Sequence, residues 1–511
     1  MLGWLGLLGA AVLVHLVTLD ISPSIWQDEV QQVDFGRLHL EAEREWSVKW
    51  IPETGEPLLV WSYLGPVLHE LSFRLAGSAR GPRGAALLGS VLAAAAMLFW
   101  LLARAMPPWA AVWLSLAFYL DPLFVKSYKG ARVDAWAIAL ALAACLVLRR
   151  AMKPGRRPGR LRKTLGYALF AGSLAAAAAV TWQSAVILYP LIAAELYALA
   201  VERRTKRRGD GRRGGSSRET VLVVAAFGLG GLAGAAVLCT PLIGHLEQVV
   251  RDAGLFLQGS AGASHALADR AWKVIDVGAA ARVLWMSGIV ILAAGLGAFC
   301  RRTPALILAT VLAYLMVGGT VMYAGRAVYL LPYFVVLASG LYAAGVPACE
   351  TRRLPRLRAY VLAALVAWSV GMSLGVRTAV AWGSRAERHP GPLFEMAEAG
   401  LGRGEHEVFL GQTFEFYYVG RTLGWKMYTP NGPGSSARVV ELLARVDAAV
   451  LRREAVTQEV AAVLRDAGLT QQSYWDVVRE GRGKGLKGLA GVLRRDSASR
   501  PYGSYLVFRR Y

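Results

Sequence analysis

The sequence predicts a mostly α-helical, polytopic membrane protein. It is expected to have about 11 transmembrane helices, amphipathic helices in the first outer loop and a small C-terminal α/β soluble domain. Three observations carry that expectation. Of 511 residues, 55% are hydrophobic and 18% are charged, and the mean hydropathy of +0.40 is too high for an ordinary soluble chain of this length. The apolar residues gather into runs of the length needed to cross a bilayer core of roughly 30 Å. After Ala381 the composition turns polar, with only short apolar runs.

The first run, Met1 to Leu19, has no basic n-region and no A-x-A site before Asp20, so an uncleaved anchor is expected. Further runs lie at Ala85 to Leu102, Trp109 to Val125, Ala135 to Leu148, Thr164 to Thr181, Ala185 to Ala200 and Val221 to Cys239. The last four lie at Arg282 to Cys300, Pro304 to Tyr323, Val328 to Pro347 and Ala359 to Val380. The run from Ala135 is short, which puts its expected start in the preceding loop.

Loop charge sets the orientation. The formal net charge is +22, and its cations concentrate in Arg149 to Lys163, Glu202 to Arg218, Arg301-Arg302 and Arg352 to Arg358. With a cytoplasmic N-terminus all four loops fall inside, as the positive-inside tendency requires. That accounts for the basic balance without nucleic acid. The segment with Asp28 and Glu29, the segment Lys126 to Val133, the stretch Pro241 to Ala281 and the C-terminal region then lie outside. The expected division is a membrane domain over residues 1–380 and an outer domain over 381–511, in a multi-pass plasma (inner) membrane protein of bacterial type.

The first outer loop is long enough to hold helices of its own. Leu64, Leu68, Leu71 and Leu75 fall on one helical face, with His69, Glu70, Ser72 and Arg74 on others and Gly77 as C-cap. This reads as an amphipathic helix on the membrane surface. Trp26, Trp46, Trp50, Trp61 and Tyr63 read as an interfacial aromatic belt. In the tail, EVFLG (Glu407 to Gly411), DAAVLR (Asp447 to Arg452), Tyr474 to Val478 and GSYLVFRR read as strands. They alternate with helices through Phe416, Ala437 to Arg445 and Val456 to Asp466, with a turn at Pro430 to Gly434. The Gly/Arg stretch Gly481 to Gly491 reads as a loop and lacks the strand and helix of a phosphate-binding motif.

Chemistry is expected on the outer face. Asp28 and Glu29 follow directly on the first span, where partial desolvation raises a carboxylate's proton affinity toward that of a general base. Taken alone, an Asp-Glu dipeptide also reads as a solvated loop. Lys126, Lys129, Arg132 and Asp134 crowd the start of a helix, and three cations there suit a lipid-linked phosphate. A charged helix terminus with Asp134 near an N-cap is the plainer alternative. Arg326, in the turn before Tyr329, either holds phosphate or snorkels. Asp121, before Pro122, is a functional acid or a cap, and Glu195 is expected to reach the interface. His15 reads as a packed histidine. Cys145, Cys239, Cys300 and Cys349 lack metal-site spacing and read as apolar filler.

The order of these motifs carries a resemblance. A first span, an outer loop with W-x-D-E (Trp26, Asp28, Glu29), E-P-L-L-x-W (Glu56 to Trp61) before an amphipathic helix, and A-R-V-D (Ala131 to Asp134) entering a span together resemble the GT-C superfamily of polyprenyl-phosphate-sugar glycosyltransferases. The branch is that of the protein O-mannosyltransferases and lipid A aminoarabinose transferases. Its R-Y-L-L-P-type span is similar to the stretch Gly325 to Gly340, which carries Arg326 and then Y-L-L-P (Tyr329 to Pro332). The resemblance implies an inverting transferase that takes a hexosyl or pentosyl sugar from a polyprenyl-phosphate donor and passes it to a lipid, glycan or protein hydroxyl. It makes Asp28 the general base, Glu29 its neighbour in the site and Asp134 the second acid, with Lys126, Lys129, Arg132 and Arg326 on the donor phosphate. The acids of the two outer segments are expected to meet around the head of the carrier.

Two departures stand out. Val30-Gln31-Gln32 replaces a basic residue after the acid pair, and Glu56-Pro57-Leu58 replaces a Lys or His before Pro-Pro. A phosphate clamp shifted to the segment from Lys126 to Arg132 follows as a hypothesis, with Glu56 and Asp121 as accessory residues. A divalent metal ion stays open, since Asp28, Glu29 and Asp134 are hard oxygen ligands whose spacing defines no site. The competing readings are a transporter or flippase of lipid-linked sugars and an inactive membrane scaffold.

Overall fold

A computed structural model describes residues 2–41, 44–52, 54–151, 160–209, 216–261, 277–301, 303–318, 324–342, 353–383, 385, 388–430, 437–476 and 502–510. The expected turn at Pro430 to Gly434 (beyond Pro430), the Gly481 to Gly491 loop, Cys349 and much of the basic loops lie outside those residues.

The chain forms two compact units. One comprises Met1–Ala11, Leu87–Tyr128 and Val133–Leu374, the other Val12–Ala86, Lys129–Arg132 and Gly375–Tyr511. Helices α1 (Leu2–Val17), α2 (Gln27–Leu40), α3 (Leu64–Ala76), α4 (Arg80–Ala103), α5 (Pro108–Tyr119), α6 (Pro122–Lys129) and α7 (Asp134–Ala151) cover the first third of the chain.

The first unit is helical. Each apolar run expected from the sequence forms helix in its described part, and among the described residues six helices are long and apolar enough to cross a membrane. A seventh span counts if α5 and α6, bent by 53° at Leu120-Asp121, are taken together. Pro122 explains the bend, because it cannot donate to the preceding turn. Within the unit, the helix Arg160–Thr181 packs closely on Ser216–Cys239 through glycine. A Cβ placed at Gly230 would stand 2.0 Å from the Leu169 carbonyl oxygen, so no larger residue permits that approach. Helix α7 starts at Asp134 and not in the loop before it. Ala131 holds a left-handed φ of 47°, which breaks the helical path.

The second unit holds the strands. A short antiparallel pair, β1 (Trp50–Ile51) with β2 (Glu56–Pro57), lies in the first loop. In the tail, β3 (Glu407–Gly411) runs parallel to β4 (Lys426–Tyr428) and β5 (Ala448–Arg452), whereas β7 (Ser504–Arg510) is antiparallel to β5 and to β6 (Leu469–Asp476). The sheet order is β4-β3-β5-β7-β6. Helices connect the parallel strands, as parallel crossovers require. Ile25, Val30, Val33, Val48 and Phe73 of the first loop share one apolar core with Leu393, Val408, Leu410, Phe416, Val450 and Val507 of the tail. The first loop and the tail therefore fold as one body.

That shared core corrects the reading of the tryptophans. Trp50 is buried beside Tyr428 and Leu451, where its backbone N–H donates to the Thr429 carbonyl. Trp46 lies 3.4 Å beneath the Arg37 guanidinium. Neither sits in an open belt. Helix α3 ends at Gly77 in the left-handed conformation, as expected. Its polar face turns inward, burying His69 and Glu70 against the unit, and its leucines point out, with Leu75 91% exposed. Glu70 answers its burial by a two-oxygen pairing with Arg421 at 2.9 and 3.2 Å.

Candidate active site

Helix α2 organises the candidate site. Gly36 lets it lie against α3, since a Cβ there would come within 2.1 Å of the Pro66 carbonyl oxygen. Asp34, on the same helix, is fully buried and accepts from Arg37 Nε (3.0 Å), Ser47 Oγ (2.5 Å), Val48 N (3.1 Å) and Tyr417 Oη (3.1 Å). A buried carboxylate with every lone pair answered fixes the helix against the tail. Asp28 and Glu29 occupy the first turn of α2, where carboxylates suit the partial positive charge of a helix start.

Consecutive residues on a helix point about 100° apart, and here the two acids meet different partners. Glu29 is 0% exposed and pairs with Arg83 through both oxygens at 2.8 Å each. Tyr418 Oη approaches Oε1 at 3.4 Å. Burial pushes the Glu29 carboxyl up from its ordinary range, while Arg83 and Tyr418 pull it back. The side chain of Asp28 is 29% exposed and is held by Arg132 Nη1. Trp26 Nε1 donates to the Gly130 carbonyl at 3.2 Å, a second tie to the same segment. Lys49 stands within reach of the Asp28 charge. Burial lowers its ammonium from the ordinary value, and Asp28 opposes that shift.

The other expected residues fall elsewhere. Lys129 is buried at the end of α6, where its Nζ donates to Thr18 Oγ1 at 2.5 Å. Glu56 is exposed on β2, opposite Ile51. In the first unit, Asp134 is fully buried, accepting from Ser127 Oγ at 2.9 Å and Tyr329 Oη at 2.7 Å. Lys126 is half-buried on α6 and not in a loop, and Arg326 is half-buried in the helical turn Ala324–Ala327. Asp121 accepts from Leu123 N at 2.9 Å and Ser287 Oγ at 2.8 Å, so it caps α6 at the bend. Glu195 is buried between Arg104 and Arg149, the latter at 2.7 Å.

No protein-family model matches the chain, and no curated protein matches its sequence. Solved structures do match its fold. Over 99% of this chain and 98% of the other, it is similar to ArnT from Cupriavidus metallidurans bound to undecaprenyl phosphate, with a TM-score of 0.61 at 13% identity. The apo state of the same protein matches over the same shares, with a TM-score of 0.58 and 13% identity. The chain shares the fold of that protein. A third structure with it, the Archaeoglobus fulgidus oligosaccharyltransferase tethered with an acceptor peptide, matches over 92% of this chain and 73% of that one, with a TM-score of 0.52 and 13% identity.

Within this chain the arrangement of Glu29 and Asp134 does not fit a metal. Both Glu29 oxygens face Arg83, Asp134 is taken up by two hydroxyls, and among the described residues no three His, Cys, Asp or Glu side chains gather at ligating distance. Sequence reasoning misses Arg83, Lys49, Tyr418 and Tyr329. Arg83, a cation inside the start of an apolar span, carries the one signal that could find a partner.

Proposed function

We propose that the chain is an integral-membrane inverting glycosyltransferase. It moves a hexosyl or pentosyl unit from a polyprenyl-phosphate donor to a hydroxyl of a lipid, glycan or protein acceptor on the outer face of an inner membrane. The N-terminus is cytoplasmic and the C-terminal region outside in this reading. The observation that carries it is the environment of Asp28. It is a partly open carboxylate with an arginine on one side, set at the start of α2 in a chain whose fold matches a protein solved with undecaprenyl phosphate.

Asp28 accepts the acceptor hydroxyl proton as the acceptor oxygen attacks the anomeric carbon. The bond from that carbon to the phosphate oxygen breaks, the electron pair leaves with the polyprenyl phosphate, and the anomeric configuration inverts. Arg132 holds and aims the Asp28 carboxylate through its ion pair. Glu29, occupied by Arg83, positions the helix that carries Asp28. Lys129 and Arg132, in the unit that carries Asp28, are the cations we assign to the donor phosphate. Asp134 is a positioning residue that holds Tyr329 and the turn behind Arg326, while Glu56 and Asp121 lie outside the reacting groups.

The test is sugar transfer from a radiolabelled polyprenyl-phosphate sugar by the full chain in vesicles. Labelled product from wild-type protein supports the reading, and transport of the lipid without transfer replaces it with a flippase.

A further inference from the structure

Two buried amides follow Asp28 on helix α2. Gln31 and Gln32 are 8% and 4% exposed, and among the described residues Gln31 Nε2 and Gln32 Oε1 meet no hydrogen-bond partner. At about 100° per residue they flank Asp28 on one face of the helix, about 60° to one side and about 40° to the other, one turn further along. Side chains at that spacing are neighbours, with Cβ atoms about 5–6 Å apart. The opposite face has other work: Val30 and Val33 enter the core shared with the tail, and Asp34 and Arg37 are ion-paired. Phe35 continues the face of Asp28 and is buried. The polar part of that face is therefore a single turn long, about 5.4 Å, the width of one sugar ring.

Leaving a buried amide atom unanswered lowers stability, whereas an apolar side chain of the same shape in its place is near neutral or stabilising. Two such atoms beside a partly open carboxylate point to a ligand. Amide and hydroxyl each offer both a donor and an acceptor, so hydroxyl groups answer the two residues fully. An ammonium or carboxylate there would find no counter-charge in an amide, and the Asp28 charge is already met by Arg132. We propose that Gln31 and Gln32 bind hydroxyl groups of the transferred sugar at Asp28 and select a neutral hexosyl or pentosyl unit over one that carries an amino or carboxyl group.

This inference rests on the glycosyltransferase reading and adds the class of sugar to it. The two glutamines belong to the stretch that stands in place of a basic residue after the acid pair. A cation there would draw an anion toward the general base, whereas an amide draws a hydroxyl and leaves the charge around Asp28 as it is. Bonds to ring hydroxyls also orient the sugar, which fixes the direction from which the acceptor reaches the anomeric carbon. A site built to hydrogen-bond a hydroxyl discriminates against a sugar that lacks it, because the site's own buried polar atoms are then left unpaired.

The experiment measures binding to the full chain in nanodiscs, with polyprenyl-phosphate mannose, polyprenyl-phosphate arabinose, polyprenyl-phosphate aminoarabinose and bare polyprenyl phosphate as probes. Wild type is expected to bind one of the two neutral sugar lipids at least about tenfold more tightly than the aminoarabinosyl lipid. Gln32→Leu and Gln31→Met, each close in size to the residue replaced, weaken that neutral sugar lipid about tenfold and leave the affinity for bare polyprenyl phosphate unchanged. Both keep or raise the unfolding midpoint, whereas amides that merely held the fold together would lower it when lost. Unchanged sugar-lipid affinity in both variants overturns the subsite while leaving the transferase reading standing, and a fall in transfer without it moves the amides to the acceptor hydroxyl. An equal loss of affinity for the bare carrier overturns the assignment to the sugar. Tightest binding of the aminoarabinosyl lipid overturns the selection of a neutral one. A wild type that binds neither the carrier nor any of the sugar lipids overturns the transferase reading as well.

Discussion

The two sides of the α2 start divide the work between neighbouring carboxylates. On one side Glu29 is sealed from solvent and gripped at both oxygens by Arg83, while on the other Asp28 pairs with Arg132 and keeps nearly a third of its side chain open. The sealed pair is closed to solvent and so to a substrate, and it loses heavily if either member is removed. The open pair keeps part of its carboxylate facing solvent. The difference shows that an arginine partner alone does not separate a structural acid from a reactive one; the number of bonds and the access of solvent do.

The comparison can be broken first at Glu29. Glu29→Gln leaves Arg83 buried without its counter-charge, and a loss of about 3–5 kcal/mol is expected in chemical denaturation. The double change Glu29→Leu with Arg83→Met recovers most of it. No recovery would mean that the pair does more than close the fold. Next comes Gly36→Ala, which forces α2 away from the Pro66 carbonyl and moves both acids together. About 1–3 kcal/mol of stability and a parallel fall in transfer are expected, so a variant that loses neither would separate the site from the α2–α3 contact.

Arg132→Ala sharpens the open side. Donor affinity is expected to fall about tenfold, roughly 1.4 kcal/mol, and by more than in Asp28→Asn. Equal donor affinities in the two variants would confine Arg132 to serving the carboxylate. The smallest effect lies at Asp20, whose carboxyl the Arg80 guanidinium holds below the ordinary range. A carboxyl depressed in the folded chain stabilises it fully above its unfolded value, near pH 4, and that contribution disappears as pH falls through the lower folded value. Arg80 is largely exposed, so the gain over Asp20→Asn is expected to stay within about 1 kcal/mol at neutral pH. Unfolding curves of the two should converge in acid.

What is legible in the sequence is local. Apolar runs, the Leu64-to-Leu75 period with its Gly77 cap and the EVFLG and GSYLVFRR strands all announce themselves within a dozen residues. Asp28 and Arg132 are each visible as residue types at a membrane boundary, but their pairing spans 104 positions, and Glu29 lies 54 positions from Arg83. No periodicity encodes such distances. The same gap explains why Trp50 reads as belonging to an interfacial belt and Glu195 as reaching the interface, because their partners come from strands and helices far along the chain. The start of α7 escapes for a different reason. Ala131 adopts a left-handed backbone that its residue type does not advertise.

The measurement that bears most directly on the account is sugar transfer by Asp28→Asn, taken beside its unfolding midpoint and its affinity for polyprenyl phosphate. The account predicts a fall in kcat of about 10²–10⁴, the range for loss of a general base, with the midpoint and the lipid affinity near those of wild type. Transfer at the wild-type rate by a folded Asp28→Asn protein would contradict it.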